Sequence, residues 1–552
     1  MKRLILALIF SMFAFNSFGQ TPSNQLVLDF KDAVTQQQIL EFERQYDIST
    51  HLNSAYSDDA EIRLTDSLSQ EQIDNLLVAM RGDPRLEFAE ENAVYSIPSN
   101  ENNIESTIDF TKSAASYPND PKFKFQWHMN NIRMPEAWAM KGGTGKGTIV
   151  AVIDTGVAYE NYTRGNQKFV KAEDLAQTCF VQGYDFIHDD SHGLDDHAHG
   201  THCAGTIAQS TNNNLGVTGV APEACIMPLK VLSSGGSGTV ADIADAIRFA
   251  ADNKAQIISM SLGGPSPSSV MGSAVAYAIS KGVLVVAAAG NDGSKRVGYP
   301  AAYEGVIAVS ATDASNGISW YSTTGKDIDI AAPGGDTRDD KNGDGVPDGV
   351  VQNTIKTNDP TQQGYYPFQG TSMATPHVAG ALADILASGV KDPKKATEIL
   401  YASANRKVAE EHGAPKGQKW DDRYGHGLID VAAALKMAKD LEINSNVIDN
   451  PGIFTTIAPT IDDAGVFFTK LGLELTWLIL LSVMLPFMML GVLYGTKARK
   501  NVSYGCIGFG LFLGLLSYSG FTLTVLGFTL GTIWFAIQAV SSAAIGFVGL
   551  KD

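Results

Sequence analysis

The chain has 552 residues, of which 44% are hydrophobic and 18% are charged, so it is long enough for roughly two to four structural units. Its 41 basic and 59 acidic residues give a formal charge of −18, which argues against a nucleic-acid partner because phosphate binding requires a basic face. Four cysteines without a CxxC pair exclude a disulfide-built scaffold and a thiolate zinc site, so the fold must rest on a hydrophobic core.

The N-terminal 19 residues predict a secretory signal peptide. Basic residues at positions 2 and 3 precede an apolar stretch over 4–15, and the small residues Ser17 and Gly19 stand where signal peptidases require them. We therefore expect residues 1–19 to be removed and the chain that follows to be secreted across the cytoplasmic membrane.

Two folded segments come next. Residues 20–118 combine a strand-like alternation over 25–30 with a helical pattern over 69–80, which predicts a small α+β unit. Residues 119–440 alternate apolar, β-branched runs with amphipathic stretches, a pattern typical of an α/β fold whose parallel strands are buried between helices.

The C-terminal region has a different composition. Residues 441–473 form a polar linker, and the uncharged stretches 475–495 and 501–550 are together long enough for about three transmembrane helices, in a membrane domain over 474–552. The basic residues between these stretches should face the cytoplasm. The prediction is a chain anchored in the cytoplasmic membrane, with its large N-terminal part in the periplasm or outside the cell.

Three polar motifs interrupt the α/β segment. Asp154 ends a buried strand, and alone it could orient another group, bind a metal or belong to an aspartic-protease dyad, although no second Asp-Thr-Gly exists. A zinc site is the alternative function for His197, His199 and His202. Their spacing, however, does not place two histidine rings on one helix face, as the zinc-binding motif HExxH does. Ser372 begins a predicted helix, where the dipole favours negative charge, although a lone serine there is usually an N-cap.

In chain order these motifs supply Asp154, His199 and Ser372, which is the order of the subtilisin arrangement of a catalytic triad. The sequence closely resembles the subtilisin-like serine proteases (subtilases, peptidase family S8) in three blocks: Ile-Asp-Thr-Gly at 153–156, His-Gly-Thr-His-Cys-Ala-Gly-Thr at 199–206 and Gly-Thr-Ser-Met-Ala-Thr-Pro-His-Val-Ala-Gly at 370–380. This resemblance implies a parallel sheet of the seven-stranded type flanked by helices. It also implies a serine endopeptidase that hydrolyses peptide bonds of proteins.

The resemblance assigns roles to individual residues. Ser372 would be the nucleophile, His199 its base and Asp154 the group that orients the imidazole. Asn291 would donate to the oxyanion together with the backbone N–H of Ser372. The two edges that pair with an extended peptide would be Gly236, Ser237, Gly238 and Ser261, Leu262, Gly263, and the walls of the pocket for the side chain before the scissile bond would be Ala288, Ala289, Gly290 and Gly298. No acidic residue is placed to select a basic side chain, so we expect cleavage after large apolar or aromatic residues.

Residues 20–118 resemble the propeptide of the same family. The resemblance lies in Leu-Ser-Gln-Glu-Gln-Ile-Asp-Asn-Leu-Leu at 68–77 and in the acidic stretch 83–91. It implies an intramolecular chaperone and inhibitor that the enzyme removes itself, by cleavage between about residues 110 and 119. A permanent accessory domain is the alternative.

Calcium is the cofactor that the sequence predicts. Asp340, Asn342, Asp344 and Asp348 place oxygen ligands at positions 1, 3, 5 and 9 of a loop with glycine at position 6, and Val346 would add a backbone oxygen. The loop lacks the final glutamate of an EF-hand, and a solvated polar loop is the alternative. The family resemblance suggests a second calcium site with the ligands Asp174, Asn213, Leu215 and Val217.

The family resemblance also makes predictions about three of the cysteines. The resemblance makes Cys203 a buried free thiol beneath His199, and it makes Cys179 and Cys225 neighbours that a disulfide could join, a pairing that the sequence leaves open.

The expected partners are protein or peptide substrates, the chain's own propeptide and the membrane, with no nucleic acid. One alternative is a catalytically silent, membrane-anchored binding scaffold. Another is a protein whose membrane segment is itself the functional part, but the predicted spans lack the charged residues that such a function would need.

Overall fold

The computed structural model describes residues 23–56, 62–101 and 118–449 and two short strands at 523–525 and 528–530. The chain divides into two compact units, Met1–Asn446 and Val447–Asp552. The predicted signal peptide and most of the predicted linker lie outside the described residues.

The N-terminal part of the first unit is a four-stranded antiparallel sheet in the order β2-β3-β1-β4, with two helices packed against it. Both helices begin with a capping box, in which Thr35 or Ser69 accepts from the backbone of a glutamine three residues later and the glutamine side chain accepts in return. The elements are β1 (Leu26–Phe30), α1 (Gln36–Tyr46), β2 (Thr50–Leu52), β3 (Ile62–Thr65), α2 (Gln70–Ala79), β4 (Leu86–Glu91) and, after the sheet, β5 (Val94–Ser96).

The remainder of the first unit is built on a parallel sheet. The strands from residue 149 onward are β6 (Ile149–Asp154), β7 (Tyr162–Arg164), β8 (Gln167–Phe169), β9 (Cys179–Phe180), β10 (Tyr184–Asp185), β11 (Cys225–Lys230), β12 (Ser237–Thr239), β13 (Ile257–Met260), β14 (Leu284–Ala288), β15 (Val306–Thr312), β16 (Ile330–Pro333), β17 (Val350–Lys356) and β18 (Asp359–Phe368). The order of strands in the parallel sheet is β10-β11-β6-β13-β14-β15-β16, and β9 pairs with β11 as an eighth strand. The predicted α/β fold with a parallel sheet flanked by helices is confirmed.

Helices cover both faces of this sheet, which explains why its central strands are mostly apolar along their length. The helices are α3 (Trp127–Asn131), α4 (Met134–Ala137), α5 (His199–Ala208), α6 (Val240–Asp252), α7 (Ser269–Ser280), α8 (Thr371–Ala387), α9 (Pro393–Ser403), α10 (Arg406–Glu411) and α11 (Val431–Asp449), with 3-10 turns at Phe123–Phe125 and Glu173–Leu175. Val150 and Val152 of β6 join a core with α5 and α8, whereas Ala151 and Ile153 join a second core with α6 and α7.

The predicted localisation, with C-terminal helices anchoring the chain in the cytoplasmic membrane, is wrong. No helix in the part of the chain that the structure describes is long and apolar enough to cross a bilayer. Within the stretch predicted as transmembrane helix, Leu523–Val525 and Phe528–Leu530 form an antiparallel pair, β19 and β20. Threonine, valine and phenylalanine, which make up most of these two segments, favour strands. The other residues of 474–552 lie outside the described part.

Candidate active site

Asp154 and His199 meet at the C-terminal edge of the parallel sheet. Asp154 is the last residue of β6 and His199 is the first of α5, and both are almost completely buried. The Nδ1 of His199 donates to Oδ1 of Asp154 over 2.7 Å, and the backbone N–H of Thr155 donates to the same oxygen over 2.7 Å. This contact fixes both the orientation of the imidazole and the nitrogen that carries the proton.

A second buried carboxylate, Asp195, holds this pair in place, and the sequence analysis missed it. Asp195 accepts hydrogen bonds from the hydroxyl of Thr155 and from the backbone N–H groups of Ala198 and Thr201, at 2.9 to 3.0 Å. Thr155 follows Asp154 directly, whereas Ala198 and Thr201 flank His199. Asp195 therefore ties the end of β6 to the first turn of α5.

The charges around His199 decide its protonation. Burial is the largest single effect and disfavours the imidazolium, but the neighbouring charges, chiefly Asp154 with a contribution from Glu101, together outweigh it and hold the pKa of His199 well above its ordinary value. Cys203 lies one turn later on α5, with Sγ 3.9 Å from Nδ1 of His199, and burial raises the pKa of its thiol to about 11. The thiol is therefore neutral at physiological pH and packs beneath the histidine.

Ser372 and Asn291 approach the same point from two other elements. Ser372 is the second residue of α8, and Gly370, with φ of 153°, leads the chain into the helix. Asn291 lies beyond the end of β14, and its Oδ1 accepts from the backbone N–H and the hydroxyl of Thr371, both at 2.8 Å. These two contacts leave the Nδ2 donor of Asn291 facing the region of the Ser372 hydroxyl.

The side chain of Glu101 fills the space between these residues. Its Oε1 accepts from the Ser372 hydroxyl and, over 3.2 Å, from Nδ2 of Asn291, and its Oε2 lies 2.9 Å from Nε2 of His199. Ser372 also donates to the carbonyl oxygen of Ser261 over 3.2 Å. The carboxylate of Glu101 therefore bridges Ser372 and His199. The sequence pattern did not single out this residue.

The chain just before Glu101 lies along the two edges predicted to bind substrate. Strand β5 pairs antiparallel with β12, so that Tyr95 faces Gly238. On the other side, Ser96 and Gly263 exchange backbone hydrogen bonds of 3.1 and 2.9 Å. The structure thus brings both edges together around one extended segment, residues 94–97.

A cavity of about 940 Å³ opens beside this segment. Its lining includes four residues predicted for the pocket wall, namely Ala288, Ala289, Gly290 and Gly298. It also includes Asp292 and Arg296, which the sequence analysis did not place there. The carboxylate of Asp292 accepts from the hydroxyl of Thr323 over 2.6 Å and from the backbone of Ser294 over 3.0 Å, so it is already hydrogen-bonded.

Comparison with known proteins identifies the family. The profile of the Subtilase family (Peptidase_S8) matches residues 145–427, which is more than half of the chain. The chain belongs to the subtilase family. It is a serine-type endopeptidase of the subtilisin kind.

Individual relatives agree with this assignment. Over 272 residues, this subtilase is 42% identical to thermitase from Thermoactinomyces vulgaris, covering 49% of this chain and 85% of thermitase. It is 40% identical to subtilisin Savinase from Lederbergia lenta over 312 residues, covering 56% and 98% of the two chains. A solved protease structure from Pseudoalteromonas arctica PAMC 21717 is 34% identical, with a TM-score of 0.51 over 58% of this chain and 100% of that chain.

In the part of the chain that the structure describes, the three histidines of this subtilase do not bring three ligand atoms together as a zinc site requires. Nε2 of His202 donates to the carbonyl oxygen of Val350 over 2.8 Å, and its ring stacks on Phe368 at 4.3 Å. Across the described residues, one set of three His, Cys, Asp or Glu ligand atoms lies within 4.8 Å of one another, and it consists of Asp154, His199 and Cys203. Because Asp154 and His199 are directly hydrogen-bonded and the thiol is neutral, this set fits a catalytic pair better than a metal.

The acidic loop between β16 and β17 is folded around its own side chains. The carboxylate of Asp340 accepts from the backbone N–H groups of Gly343, Asp344 and Gly345 at 2.8 to 3.1 Å. Asp348 is 1% exposed, and its Oδ1 is buried with no hydrogen-bond partner in the described residues. A buried carboxylate oxygen without a donor, in a loop of oxygen ligands, fits a hard cation such as calcium.

A second group of acids surrounds the loop over 212–217. Asp174 is completely buried and accepts from Nδ2 of Asn213 over 2.8 Å and from the backbone of Val217 over 2.9 Å. Burial raises the pKa of Asp174 to about 8. Asp120, which the sequence analysis missed, accepts from the backbone N–H groups of residues 212 and 213 at 2.7 and 3.3 Å. Two buried carboxylates at one loop also suit a bound cation.

A disulfide joins Cys179 of β9 to Cys225 of β11, with Cα atoms 4.4 Å apart. The two cysteines are register partners on adjacent parallel strands. The cross-link encloses the chain that carries His199 and the loop over 212–217.

Proposed function

We propose that this subtilase cleaves peptide bonds with Ser372 as nucleophile, His199 as general base and Asp154 as the residue that orients His199. The proposal rests on one observation above all: a hydrogen-bonded Asp154–His199 pair and the hydroxyl of Ser372 converge on the same small carboxylate group. A carboxylate has the size and planarity of the peptide carbonyl that would react there.

In the proposed reaction, the Ser372 hydroxyl attacks the substrate carbonyl carbon while Nε2 of His199 takes the hydroxyl proton. The carbonyl oxygen becomes an oxyanion, stabilised by Nδ2 of Asn291 and the backbone N–H of Ser372. The imidazolium then gives its proton to the leaving amine, and the C–N bond breaks. Water, activated by His199 in the same way, hydrolyses the acyl-enzyme and restores the serine.

We propose that the substrate is an extended segment of protein, bound by backbone pairing to β12 and to the chain edge over 261–263. The seating of residues 94–97 between these edges supports this mode, because it uses backbone groups that every peptide offers. The cavity lined by Ala288, Ala289 and Gly298 would take the side chain before the scissile bond. Its small residues suit a large apolar or aromatic group.

We also propose that residues 20–118 act as inhibitor and folding chaperone and are removed by the enzyme itself, between about residues 110 and 119. Two docking contacts support this role. Glu90 accepts from the backbone N–H groups of Ser269 and Val270 and thus caps α7, and Ser54 donates to Asp245 of α6 over 2.7 Å. Downstream, Lys122 donates from its backbone to Gly216, so the chain after residue 118 is already part of the catalytic fold.

Calcium would hold two loops of this fold. The candidate ligands in the first loop are Asp340, Asn342, Asp344 and Asp348 with the backbone of Val346, and those in the second are Asp174, Asn213 and the backbone of Leu215 and Val217, with Asp120 beside them. The ion would neutralise buried carboxylates and fix the loop that leads into β17, which packs against α5.

The test compares the full precursor with Ser372→Ala and with Ser388→Ala, a control at the residue that follows the C-terminal end of α8. The parent and the control should each lose about a hundred N-terminal residues, and both should degrade an unfolded protein substrate. Ser372→Ala should do neither while still unfolding in a cooperative thermal transition, which shows that it is folded. Cleavage by Ser372→Ala at the parental rate would refute the assignment of the nucleophile, and inactivity of all three would favour a binding scaffold.

A further inference from the structure

The side chain of Glu101 contacts every reactive group of the candidate active site. One carboxylate oxygen accepts from the hydroxyl of Ser372 and from Nδ2 of Asn291, and the other lies 2.9 Å from Nε2 of His199. The side chain of Glu101 is only 7% exposed. None of these contacts is made by the backbone of the N-terminal segment, so they are distinct from strand pairing.

We propose that the catalytic centre is a carboxylate-binding site and that Glu101 occupies it in the uncut chain, holding the enzyme inactive until the segment leaves. This inference rests on the proposed function of Ser372, His199 and Asn291. It adds a chemical class of ligand, the carboxylate, and a residue that supplies it.

The first part of the inhibition is occupation of the oxyanion position. The oxygen of Glu101 that contacts Ser372 and Asn291 lies where the substrate oxyanion would need to lie. A Cβ added at Gly370 would come within 2.9 Å of this oxygen and 3.2 Å of Nδ2 of Asn291, so the glycine leaves the room that the group needs. While the carboxylate is bound, a peptide carbonyl cannot reach the serine.

The second part acts on the base. Nδ1 of His199 is 2.7 Å from Asp154, and Nε2 is 2.9 Å from Glu101. An imidazole between two carboxylates is stabilised as the imidazolium, which cannot accept the proton of Ser372. At the same time the serine hydroxyl donates to Glu101, so its proton does not point to the histidine.

The neighbouring residue fixes the position of Glu101. Nδ2 of Asn100 donates to the carbonyl oxygen of Asn291 over 2.8 Å, and Nε2 of Gln369 donates to the carbonyl oxygen of Asn100 over 3.1 Å. Before it, the backbone of Ile97 donates to Gly236 over 2.9 Å. Hydrogen bonds thus hold this segment to the catalytic domain on both sides of the cleft, up to Asn100, the residue before Glu101.

The test measures self-cleavage of precursors that carry Glu101→Gln, Glu101→Ala or the control Glu87→Gln, which removes the same charge from an exposed position of β4. The two Glu101 variants should be processed about tenfold faster than the parent or more, the size expected when a charge-assisted contact is lost. Glu87→Gln should match the parent. Equal rates for the parent and Glu101→Gln would overturn the proposal.

Synthetic peptides provide a measurement that does not depend on folding of the variants. The peptide of sequence 94–101 should inhibit the processed enzyme at least about tenfold more strongly than the same peptide with glutamine at its last position. Equal inhibition by both peptides would also overturn the proposal. A parent precursor that shows no Ser372-dependent cleavage would instead refute the proposed function, so the two failures can be told apart.

Discussion

A buried histidine pair, His128 of α3 and His377 of α8, should make this subtilase lose stability in mild acid. Nδ1 of His377 contacts the carbonyl oxygen of Met373 over 2.8 Å and must carry the proton, so Nε2 of His377 is an acceptor for Nδ1 of His128, also at 2.8 Å. Protonating His377 would set two donors against each other. Burial lowers the pKa of His377 to about 4.

The sign and size of the effect follow from that pKa. In the unfolded chain a histidine takes up a proton below a pH of about 6.5, whereas folded His377 does so only near pH 4. Between these values the unfolded state binds more protons, so stability falls as the pH falls. At about 1.4 kcal/mol per pH unit, the free energy of unfolding should drop by about 3 kcal/mol from this group alone.

The assay is guanidinium unfolding of the Ser372→Ala protein at several pH values between 7 and 4, with and without His377→Gln. The glutamine keeps an acceptor for His128 but does not titrate, so the variant should lose about 3 kcal/mol less than the parent over this range. His51→Gln, at an exposed position of β2, serves as the control and should follow the parent. An equal loss of unfolding free energy in the parent and in His377→Gln between pH 7 and pH 4 would show that burial does not keep His377 neutral.

Three further predictions test the oxyanion donor, the disulfide and the acidic loop. Asn291→Leu should lower kcat on a peptide substrate by about 10² to 10³ with little change in KM, the loss known for the oxyanion asparagine of subtilisin, and an unchanged kcat would contradict the oxyanion role. Cys225→Ser opens a cross-link between residues 46 positions apart and should lower the free energy of unfolding by about 2 to 4 kcal/mol in a denaturant titration; a variant as stable as the oxidised parent would argue against that contribution. Calcium chelation should lower the Tm of the parent more than that of Asp348→Asn, and equal shifts would place the ion elsewhere.

The fold and the three central motifs were accessible from sequence for a physical reason. Asp154, His199 and Ser372 each stand in a contiguous block, at the end of a buried strand or the start of a helix, and such positions show as a sharp change from apolar to polar residues. The strands were visible because a parallel sheet covered on both faces requires apolar residues at most positions of each strand. Local pattern was enough in these cases.

The residues that sequence analysis missed depend on distant contacts instead. Glu101 follows Ser-Asn in a polar stretch and is 271 positions from Ser372, so nothing local separates it from a solvated glutamate. Asp120 and Asp195 likewise gain their roles from backbone donors that only the folded chain supplies. Asp292 next to Asn291 could have been noticed, since it immediately follows the predicted oxyanion donor.

The inhibitory side chain belongs to the molecule that it inhibits, and residues 102–117 are all that separate Glu101 from Pro118. Covalent attachment makes the occupancy of the cleft by this side chain independent of the concentration of the protein. Cleavage between residues 110 and 119 does not by itself empty the cleft, but it makes occupancy depend on the bulk concentration. Cleavage and activation would then be separate events, and simple dilution of the cut protein would complete the second.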